Sequence, residues 1–558
     1  MRKINIAARL FAFFVLVLFS TSCQDEVQKA DLVITNATIW TGNESDPIAE
    51  SMAVSGDTIL SIGNYQQVSR FIGENTEVKD ADGKFVTPGF IDSHVHLLTG
   101  GFNLNSVQLR DAKTPKEFVE RIKEFALTVP KGSWILGGDW DHENWGGELP
   151  TKEWIDDVTK DNPVFITRLD GHMSLANTVA LELAGVTNKT LDVEGGDIVR
   201  TKNGDITGLL KDNAANLVWP FVTEPTEAEY EKALEAAMNY LASNGVTSVH
   251  HMSAAPHYNV LKKVRSKNQL ITRIYAMYPL TSWNRLKSEI DANGAGDNWL
   301  KIGGLKGFVD GSLGSHTAAF FEPYTDNPSD NGFFVMPIDT IYKHVKAADK
   351  AELQVMIHAI GDKAINNLLN TFEKVQNENE SRDRRFRIEH AQHISQNDFK
   401  RFSQLNVIPS MQPYHAIDDG RWAEKLIGAE RIKTTYAFKS LLDAEAKLAF
   451  GSDWFVAPPT PLMGIYAAVT RRTLDDKNPE GWVHEQKITV AQALAAYTKN
   501  AAYSSFEEDI KGTLESGKLA DFVIINDDLI KANPINIKDL KILETYVGGK
   551  KVYDINDN

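Results

Sequence analysis

The chain has 558 residues, of which 42% are hydrophobic and 24% are charged, and its formal net charge is −16. This length exceeds what one compact core accommodates, and the apolar fraction excludes a disordered chain. The acidic balance gives no general attraction for phosphate backbones, so nucleic acid is not expected as a partner. Because Cys23 is the only cysteine, an internal disulfide and a thiolate metal cluster are excluded.

Residues 1–22 have the organisation of an export signal. Basic residues precede an apolar run over 10–19, which is shorter than the about 20 residues that span a bilayer, and small residues follow it. Because Cys23 comes next, the segment resembles a bacterial lipoprotein signal, with Cys23 lipidated and residues 23–30 as a tether. The sequence predicts an exported protein that is lipid-anchored on a cell-envelope membrane, on its periplasmic or surface face. An ordinary secretory signal is the alternative.

Both ends of the remaining chain have the pattern of short β-strands. Residues 31–86 contain alternating apolar segments broken by glycines, and similar segments return at 520–525 and 548–553. We therefore predict a small sheet domain assembled from residues 31–86 and 508–558, on either side of a central domain over 87–507.

The central domain alternates short apolar strands with helical stretches, which is typical of parallel βαβ units. Eight strands end in polar residues, at 89–92, 247–251, 272–276, 305–310, 354–358, 386–390, 407–411 and 448–453. Eight such units close a (β/α)8 barrel. The sequence therefore predicts an α/β fold with a barrel at its centre.

The interval between the first two barrel strands is too long for a single helix. We expect an insertion over about residues 97–243, with its own strands and a hairpin that turns near Asn203 and Gly204. An insertion after a barrel strand emerges at the carboxyl-terminal face, where barrel active sites lie. We therefore expect it to cover a substrate pocket.

Metal-binding side chains collect at the carboxyl ends of the predicted barrel strands. His94 and His96 are two apart and point to the same side, and His358, His390 and Asp453 end strands five, six and eight. A single histidine at a strand end is more often a satisfied buried group, and Asp453 alone is compatible with a helix cap. Five such residues on one face instead predict a metal centre, and nitrogen and oxygen donors without sulfur suit Zn²⁺.

Several longer motifs resemble the amidohydrolase superfamily. They are PGFIDSHVH at 88–96, LKGFVDGSLGS at 305–315, HAIGD at 358–362, EHAQ at 389–392 and GSD at 451–453. The last four are similar to the amidohydrolase 3 branch, which includes YtcJ-like proteins and N-substituted formamide deformylases. The resemblance extends from about residue 31 to residue 554. It implies a distorted TIM (β/α)8 barrel with a small β-sandwich domain built from both termini.

The resemblance also implies a binuclear centre, with two Zn²⁺ ions per chain. The ligands carried over are His94, His96 and Asp453 for the first metal and His358 and His390 for the second. Lys306 falls on strand four, where related proteins carry a lysine carboxylated by CO2, an N6-carboxylysine whose carbamate bridges two metals. An unmodified Lys306 paired with Asp310 is the alternative, and it favours a mononuclear site.

The function implied by the resemblance is hydrolysis of an amide or another non-peptide C–N bond of a small molecule by a metal-activated hydroxide. Asp453 would act as general acid–base. His172, at the end of an insertion strand, is a candidate for binding the substrate or its oxyanion, or else belongs to a structural turn. His251, at the end of strand two, is a second substrate-binding candidate at a position where many relatives carry Asp.

Three other interpretations remain open at this stage. The chain is compatible with a catalytically inactive, amidohydrolase-like binding protein, although decay usually removes metal ligands and all the proposed positions here are filled. The same metal centre also supports ester hydrolysis or deamination. A homodimer is common among relatives, and the sequence leaves the oligomeric state open.

Overall fold

The structure is a computed structural model that describes residues 28–252 and 257–557. The predicted export signal and the predicted lipidation of Cys23 lie outside the described residues. Within them, no helix has both the length and the apolar character needed to cross a bilayer.

Eight parallel strands form the central sheet, and each pairs with the next along the chain. In order they are Phe90–Val95, Val246–His251, Arg273–Pro279, Leu300–Phe308, Gln354–Ala359, Arg387–His390, Ile408–Met411 and Ala449–Phe450. We number them strands one to eight. They correspond to the eight strands expected from the sequence, and the prediction of an α/β fold with a TIM-like barrel is confirmed.

Strand eight returns to strand one and nearly closes the barrel. The backbone N–H of Asp453 donates to the carbonyl of His94 at 2.7 Å, and that of His96 donates to the carbonyl of Trp454 at 2.5 Å. We call these two hydrogen bonds the barrel seam. Gly451 permits this approach, since a β-carbon there would lie 2.6 Å from the backbone nitrogen of His94. The seam therefore joins the two histidines of strand one to the aspartate that follows strand eight.

Helices connect the strands. They are Leu97–Asn103, Glu227–Ser243, Tyr258–Ser266, Trp283–Asn293, Ile338–Lys350, Asp362–Glu378, Phe399–Gln404, Pro413–Asp419, Ala423–Arg431, Phe438–Asp443, Pro461–Thr470, Val490–Tyr497 and Lys499–Tyr503. The helix Asp362–Glu378 buries Ile365, Leu368 and Phe372 at three- and four-residue spacings, as an amphipathic helix does. These side chains join one large apolar cluster between the helices and the barrel strands.

The residues between strand one and the helix Glu227–Ser243 form a second sheet. Its strand order is Gly196–Arg200, Ile206–Asp212, Met173–Ala176, Phe165–Arg168, Gly137–Trp140 and Val107–Gln108. The helices Pro115–Ala126, Lys152–Asp156 and Thr178–Ala184 accompany it. The first two strands form the hairpin expected near Gly204, which has a φ of +88°. Asp212, at the end of Ile206–Asp212, contacts His172, which lines the cavity described below.

Both ends of the chain contribute to two further sheets. One has the order Thr58–Gly63, Ser51–Ser55, Leu32–Thr35 and Glu77–Asp80, and the helix Tyr65–Ser69 follows its first strand. The other has the order Lys550–Asp554, Ile542–Val547, Phe522–Ile525, Phe85–Pro88, Thr38–Trp40 and Ile48–Ala49. Phe85–Pro88 leads directly into strand one, so this sheet supports the start of the barrel.

A buried ion pair connects the second of these sheets to the barrel. Arg273, at the start of strand three, donates two hydrogen bonds to the two carboxylate oxygens of Asp521, at 2.6 and 2.9 Å. Asp521 also accepts the backbone N–H of Gly548 at 2.8 Å, and the guanidinium lies 4.4 Å from the ring centroid of Trp299. Side-chain exposure is 1% for the arginine and 5% for the aspartate, so neither charge has water as an alternative partner.

We expect Asp521→Asn to lower the free energy of unfolding by about 3–5 kcal/mol, because it leaves the charge of Arg273 buried without its counterion. Urea unfolding followed by circular dichroism measures this change. Glu120→Gln is the matched control: its pair with Lys123 is about half exposed, so the loss should be below about 1 kcal/mol. Equal losses at the two positions would contradict a structural role for the buried pair.

Candidate metal centre

The side chains predicted to bind metal converge at the carboxyl ends of the barrel strands. They are His94, His96, Lys306, His358, His390 and Asp453, and all are buried except His96, which is partly exposed. Five different strands or strand ends supply them, so the barrel fold is what brings them together.

Asp453 lies among the histidines of this cluster. Its Oδ1 is 3.3 Å from Nε2 of His94 and 3.3 Å from Nε2 of His96, and its Oδ2 is 4.0 Å from Nδ1 of His390. Oδ1 is buried and makes no well-formed hydrogen bond to any described residue. Ligand atoms of His94, His390 and Asp453 all lie within 4.8 Å of one another. A buried carboxylate oxygen facing imidazole nitrogens fits a divalent cation.

Lys306 and His358 extend the cluster. Nζ of Lys306 is 3.1 Å from Nε2 of His94, and the ring centroids of His358 and His390 are 4.4 Å apart. Asp310, the alternative partner of Lys306, instead accepts three backbone N–H groups at 2.8–3.0 Å. No carboxylate of the described residues lies at ion-pairing distance from Nζ, and burial lowers the pKa of Lys306 to about 8. The structure therefore presents a buried amine without a counterion.

Hydrogen bonds fix the buried histidine rings. Nδ1–H of His94 donates to Glu389 at 2.6 Å. Nδ1–H of His390 donates to Gln412 at 2.9 Å, and Nε2–H of His358 donates to a backbone carbonyl at 3.0 Å. Burial lowers the pKa of all three rings, that of His94 to about 4, which favours the neutral form that binds metals. The second ring nitrogen of His94, Nε2, faces Lys306 and Asp453, on the side of the ring where an ion would bind.

Strand six bends at its last residue. His390 has a φ of +74°, in the left-handed region that residues with a β-carbon rarely adopt. Successive side chains of a strand point to opposite faces, yet both Glu389 and His390 contact His94 here. Asp453 has a φ of +60° as well. Such backbone conformations concentrate at functional sites, where surrounding contacts compensate their cost.

A cavity lies beside the cluster and includes His358, His390 and Asp453 in its wall. The apolar part of its wall consists of Leu169, Leu313, Ile360, Trp422 and Val456. The acidic residues in the wall besides Asp453 are Asp170, Asp418 and Asp419. Arg168 also lines it, and its guanidinium already donates to Asp141 at 2.9 Å and to Asp170 at 2.6 Å.

The two histidines predicted to bind substrate lie in different surroundings. His172 lines the cavity, with Nδ1 2.5 Å from Oδ1 of Asp212 and its ring 5.0 Å from that of His358. Although burial opposes its charged form, the Asp212 carboxylate raises the pKa of His172. His251 is buried outside the cavity wall, and its Nδ1 accepts the backbone N–H of Leu97 at 3.2 Å. The structure therefore brings His172, but not His251, to the cavity.

Several residues that orient the ligands were not identified from the sequence. Glu389, Gln412 and Asp212 each bind a histidine of the site. Burial opposes ionisation of Glu389, but neighbouring Arg387 and His94 hold its pKa at about 2. The only local signal was the position of Glu389 directly before His390. Gln412 and Asp212 act through tertiary contacts that leave no local pattern.

Known proteins resemble this chain in sequence and in fold. Residues 77–553 match the amidohydrolase family. The protein LONG AFTER FAR-RED 3 of Arabidopsis thaliana is 42% identical over 94% of this chain and 92% of its own length. The N-substituted formamide deformylase of Arthrobacter pascens is 27% identical, with 94% of this chain and 99% of that protein covered.

A solved structure of an uncharacterized metal-dependent hydrolase from Pyrococcus horikoshii matches with a TM-score of 0.72 at 29% identity. The match covers 90% of this chain and 99% of that one. The family match spans most of the chain, and His94, His390 and Asp453 lie close enough together to hold a metal. This chain therefore belongs to the amidohydrolase family.

Proposed function

We propose that this protein hydrolyses an amide or another non-peptide C–N bond in a small uncharged molecule. The observation that carries the proposal is the buried group of His94, His390 and Asp453, whose ligand atoms lie within 4.8 Å of one another beside a cavity. Divalent metal bound there supplies a Lewis acid and activates water. The similarity to a deformylase of N-substituted formamides supports the choice of a C–N bond.

We assign two Zn²⁺ ions to the centre. His94, His96 and Asp453 would hold the first, and His358 and His390 would hold the second. The donor set of imidazoles and a carboxylate without sulfur suits zinc among the divalent metals.

Lys306 is the proposed bridging ligand, in its carboxylated form. Its lowered pKa increases the fraction of neutral amine, which is the form that reacts with CO2. The ammonium first gives up one proton; the neutral amine nitrogen then forms a bond to the carbon of CO2, one C–O π bond opens to an oxyanion, and the nitrogen releases a second proton. A buried cation thereby becomes a carbamate anion with the loss of two protons. An anion at this position, 3.1 Å from Nε2 of His94, offsets the charge of two divalent ions.

Asp453 is the proposed general acid–base, and His172 assists on the cavity wall. Because Oδ1 of Asp453 has no well-formed hydrogen bond, a lone pair is available to take a proton from water and return it to the leaving nitrogen. His172 is held through Nδ1 by Asp212, which leaves Nε2 to donate to the carbonyl oxygen of the substrate.

The wall of the cavity favours uncharged substrates. Arg168 is the only arginine or lysine in the wall among the described residues, and Asp141 and Asp170 occupy its guanidinium. Asp418 adds a further carboxylate to the wall. Away from the metals, a carboxylate on the substrate would therefore meet like charge and no unoccupied arginine or lysine, whereas an apolar group would meet Leu313 and its apolar neighbours.

We expect the zinc-loaded protein to hydrolyse neutral N-formyl or N-acetyl arylamines with a kcat/KM at least about tenfold above that of the para-carboxylate analogues. Released arylamine is measured by chromatography. Preference for the carboxylate analogue would contradict the proposed selection of uncharged substrates. Turnover of esters or deamination of aminopurines without amide cleavage would instead favour those reactions.

Asp453→Asn should lower kcat by at least about 100-fold with an unchanged melting temperature.

Carbon-13 NMR after exchange into ¹³C-bicarbonate should give a carbamate signal in the wild-type protein that is absent in Lys306→Ala. Bound zinc should fall from about two ions per chain in the wild-type protein to one or fewer in Lys306→Ala. Lys301→Ala is the matched control, because Lys301 lies on the same strand and donates to the carbonyl of Ser505 at 2.7 Å. Two zinc ions retained in Lys306→Ala would contradict the bridging role.

We also propose export of the protein and lipid attachment through Cys23, which would make a membrane surface its partner. This proposal is supported by the sequence of residues 1–23 alone. A homodimer is proposed on the grounds of the resemblance only.

A further inference from the structure

Strand six contributes two side chains to the metal centre, and only one of them is an expected ligand. His390 reaches the cluster directly, while Glu389 contacts a ligand of strand one across the barrel interior. Oε2 of Glu389 lies 2.6 Å from Nδ1 of His94, and both side chains are fully buried. A carboxylate can only accept a hydrogen bond, so this contact places a proton on Nδ1 of His94 and leaves Nε2 as its lone-pair nitrogen.

Arg387 holds this carboxylate from the other side. Its Nε donates to Oε1 of Glu389 at 2.7 Å and its Nη2 to Oε2 at 3.1 Å. The same guanidinium donates to the carbonyl of Ser93 at 2.6 Å, to Oγ of Ser410 at 2.9 Å and to Nδ1 of His250 at 2.8 Å. Arg387 therefore joins strands one, two, six and seven, and one of its contacts is to the residue directly before His94.

The lone-pair nitrogen of His94 points into the centre of the cluster. Nε2 lies 3.1 Å from Nζ of Lys306 and 3.3 Å from Oδ1 of Asp453. Rotation of the ring about its χ2 angle would move Nε2 away from the other ligands, and a change of tautomer would put a proton on Nε2 in place of its lone pair. The contact with Glu389 opposes both changes.

We propose that Glu389, held by Arg387, is a positioning residue that fixes the ring of His94 for metal binding. The proposal rests on the metal centre of the proposed function. Glu389 would raise the affinity for the metal without touching it. Of the two neighbouring residues of strand six, Glu389 orients a ligand and His390 is itself a ligand.

The chain provides its own control for a purely structural role. Arg273 and Asp521 form a second buried arginine–carboxylate pair with two hydrogen bonds, at 2.6 and 2.9 Å, and this pair touches none of the candidate ligands. Substitution of either carboxylate by its amide leaves an arginine buried without its counterion. Only Glu389 also contacts a candidate ligand.

The experiment is a chelator competition that gives the dissociation constant of Zn²⁺ for the full chain and its variants at one fixed pH. We expect Glu389→Gln to weaken zinc binding by about 10- to 100-fold, as removal of an orienting partner does. Asp521→Asn should keep the wild-type dissociation constant within about twofold, although it is also destabilised. Glu389→Asp keeps a carboxylate beside Arg387, but its side chain is one methylene shorter. Its zinc affinity should therefore lie between that of the wild-type protein and that of Glu389→Gln.

A second measurement needs no variant. In the Co²⁺-loaded wild-type protein, the Nδ1 proton of His94 should give a paramagnetically shifted NMR signal that exchanges slowly with water. Wild-type zinc affinity in Glu389→Gln and Glu389→Asp, or rapid exchange of this proton, would overturn the positioning role. A wild-type protein that binds neither Zn²⁺ nor Co²⁺ would overturn the proposed metal centre itself, which is a different failure.

Discussion

The metal centre depends on the closure of the barrel between strands one and eight. The seam hydrogen bonds fix the backbone of His94 and His96 against that of Asp453 and Trp454. Asp92 strengthens this junction, because its carboxylate accepts the backbone N–H and the hydroxyl of Ser452 at 2.9 and 2.6 Å. The ligands of the first proposed metal are thus brought together by backbone contacts that the fold itself requires.

Buried ion pairs lie in the interior beneath the centre. Arg387 and Glu389 form one buried pair, and Lys511 contacts Glu507 at 3.0 Å in a second. Lys306 departs from this pattern, since no carboxylate of the described residues pairs with it. A buried unpaired cation is costly, and its conversion to a carbamate is the change that would make this site favourable for divalent ions.

Much of the fold followed from local sequence pattern. Polar residues at the ends of eight apolar strands predicted the barrel, and the two-residue spacing of His94 and His96 predicted that both face the same ion. The strand count also put Lys306 on strand four, where the structure places it, and only its carboxylation rested on the resemblance. These inferences depend on residues that are neighbours along the chain or on motifs that are read directly.

Tertiary contacts account for what the sequence did not reveal. Strand alternation gives no reason to expect Glu389 and His390 to contact the same ring, and the left-handed backbone at His390 is what permits it. The expected alternative pair of Lys306 with Asp310 does not form, because loop N–H groups occupy that carboxylate. His251 ends a barrel strand as expected, but its Nδ1 accepts the backbone N–H of Leu97, at the start of the helix that follows strand one.

The most direct test of the dependence on the seam is the zinc affinity of Gly451→Ala. The added β-carbon would lie 2.6 Å from the backbone nitrogen of His94 and 2.7 Å from Oδ1 of Asp92, so strands one and eight must separate. We expect a loss of stability of about 1–3 kcal/mol together with zinc binding weakened by at least about tenfold. Asp521→Asn, destabilised far from the seam, should keep its zinc affinity. Wild-type zinc affinity in a destabilised Gly451→Ala protein would contradict the dependence of the metal centre on barrel closure.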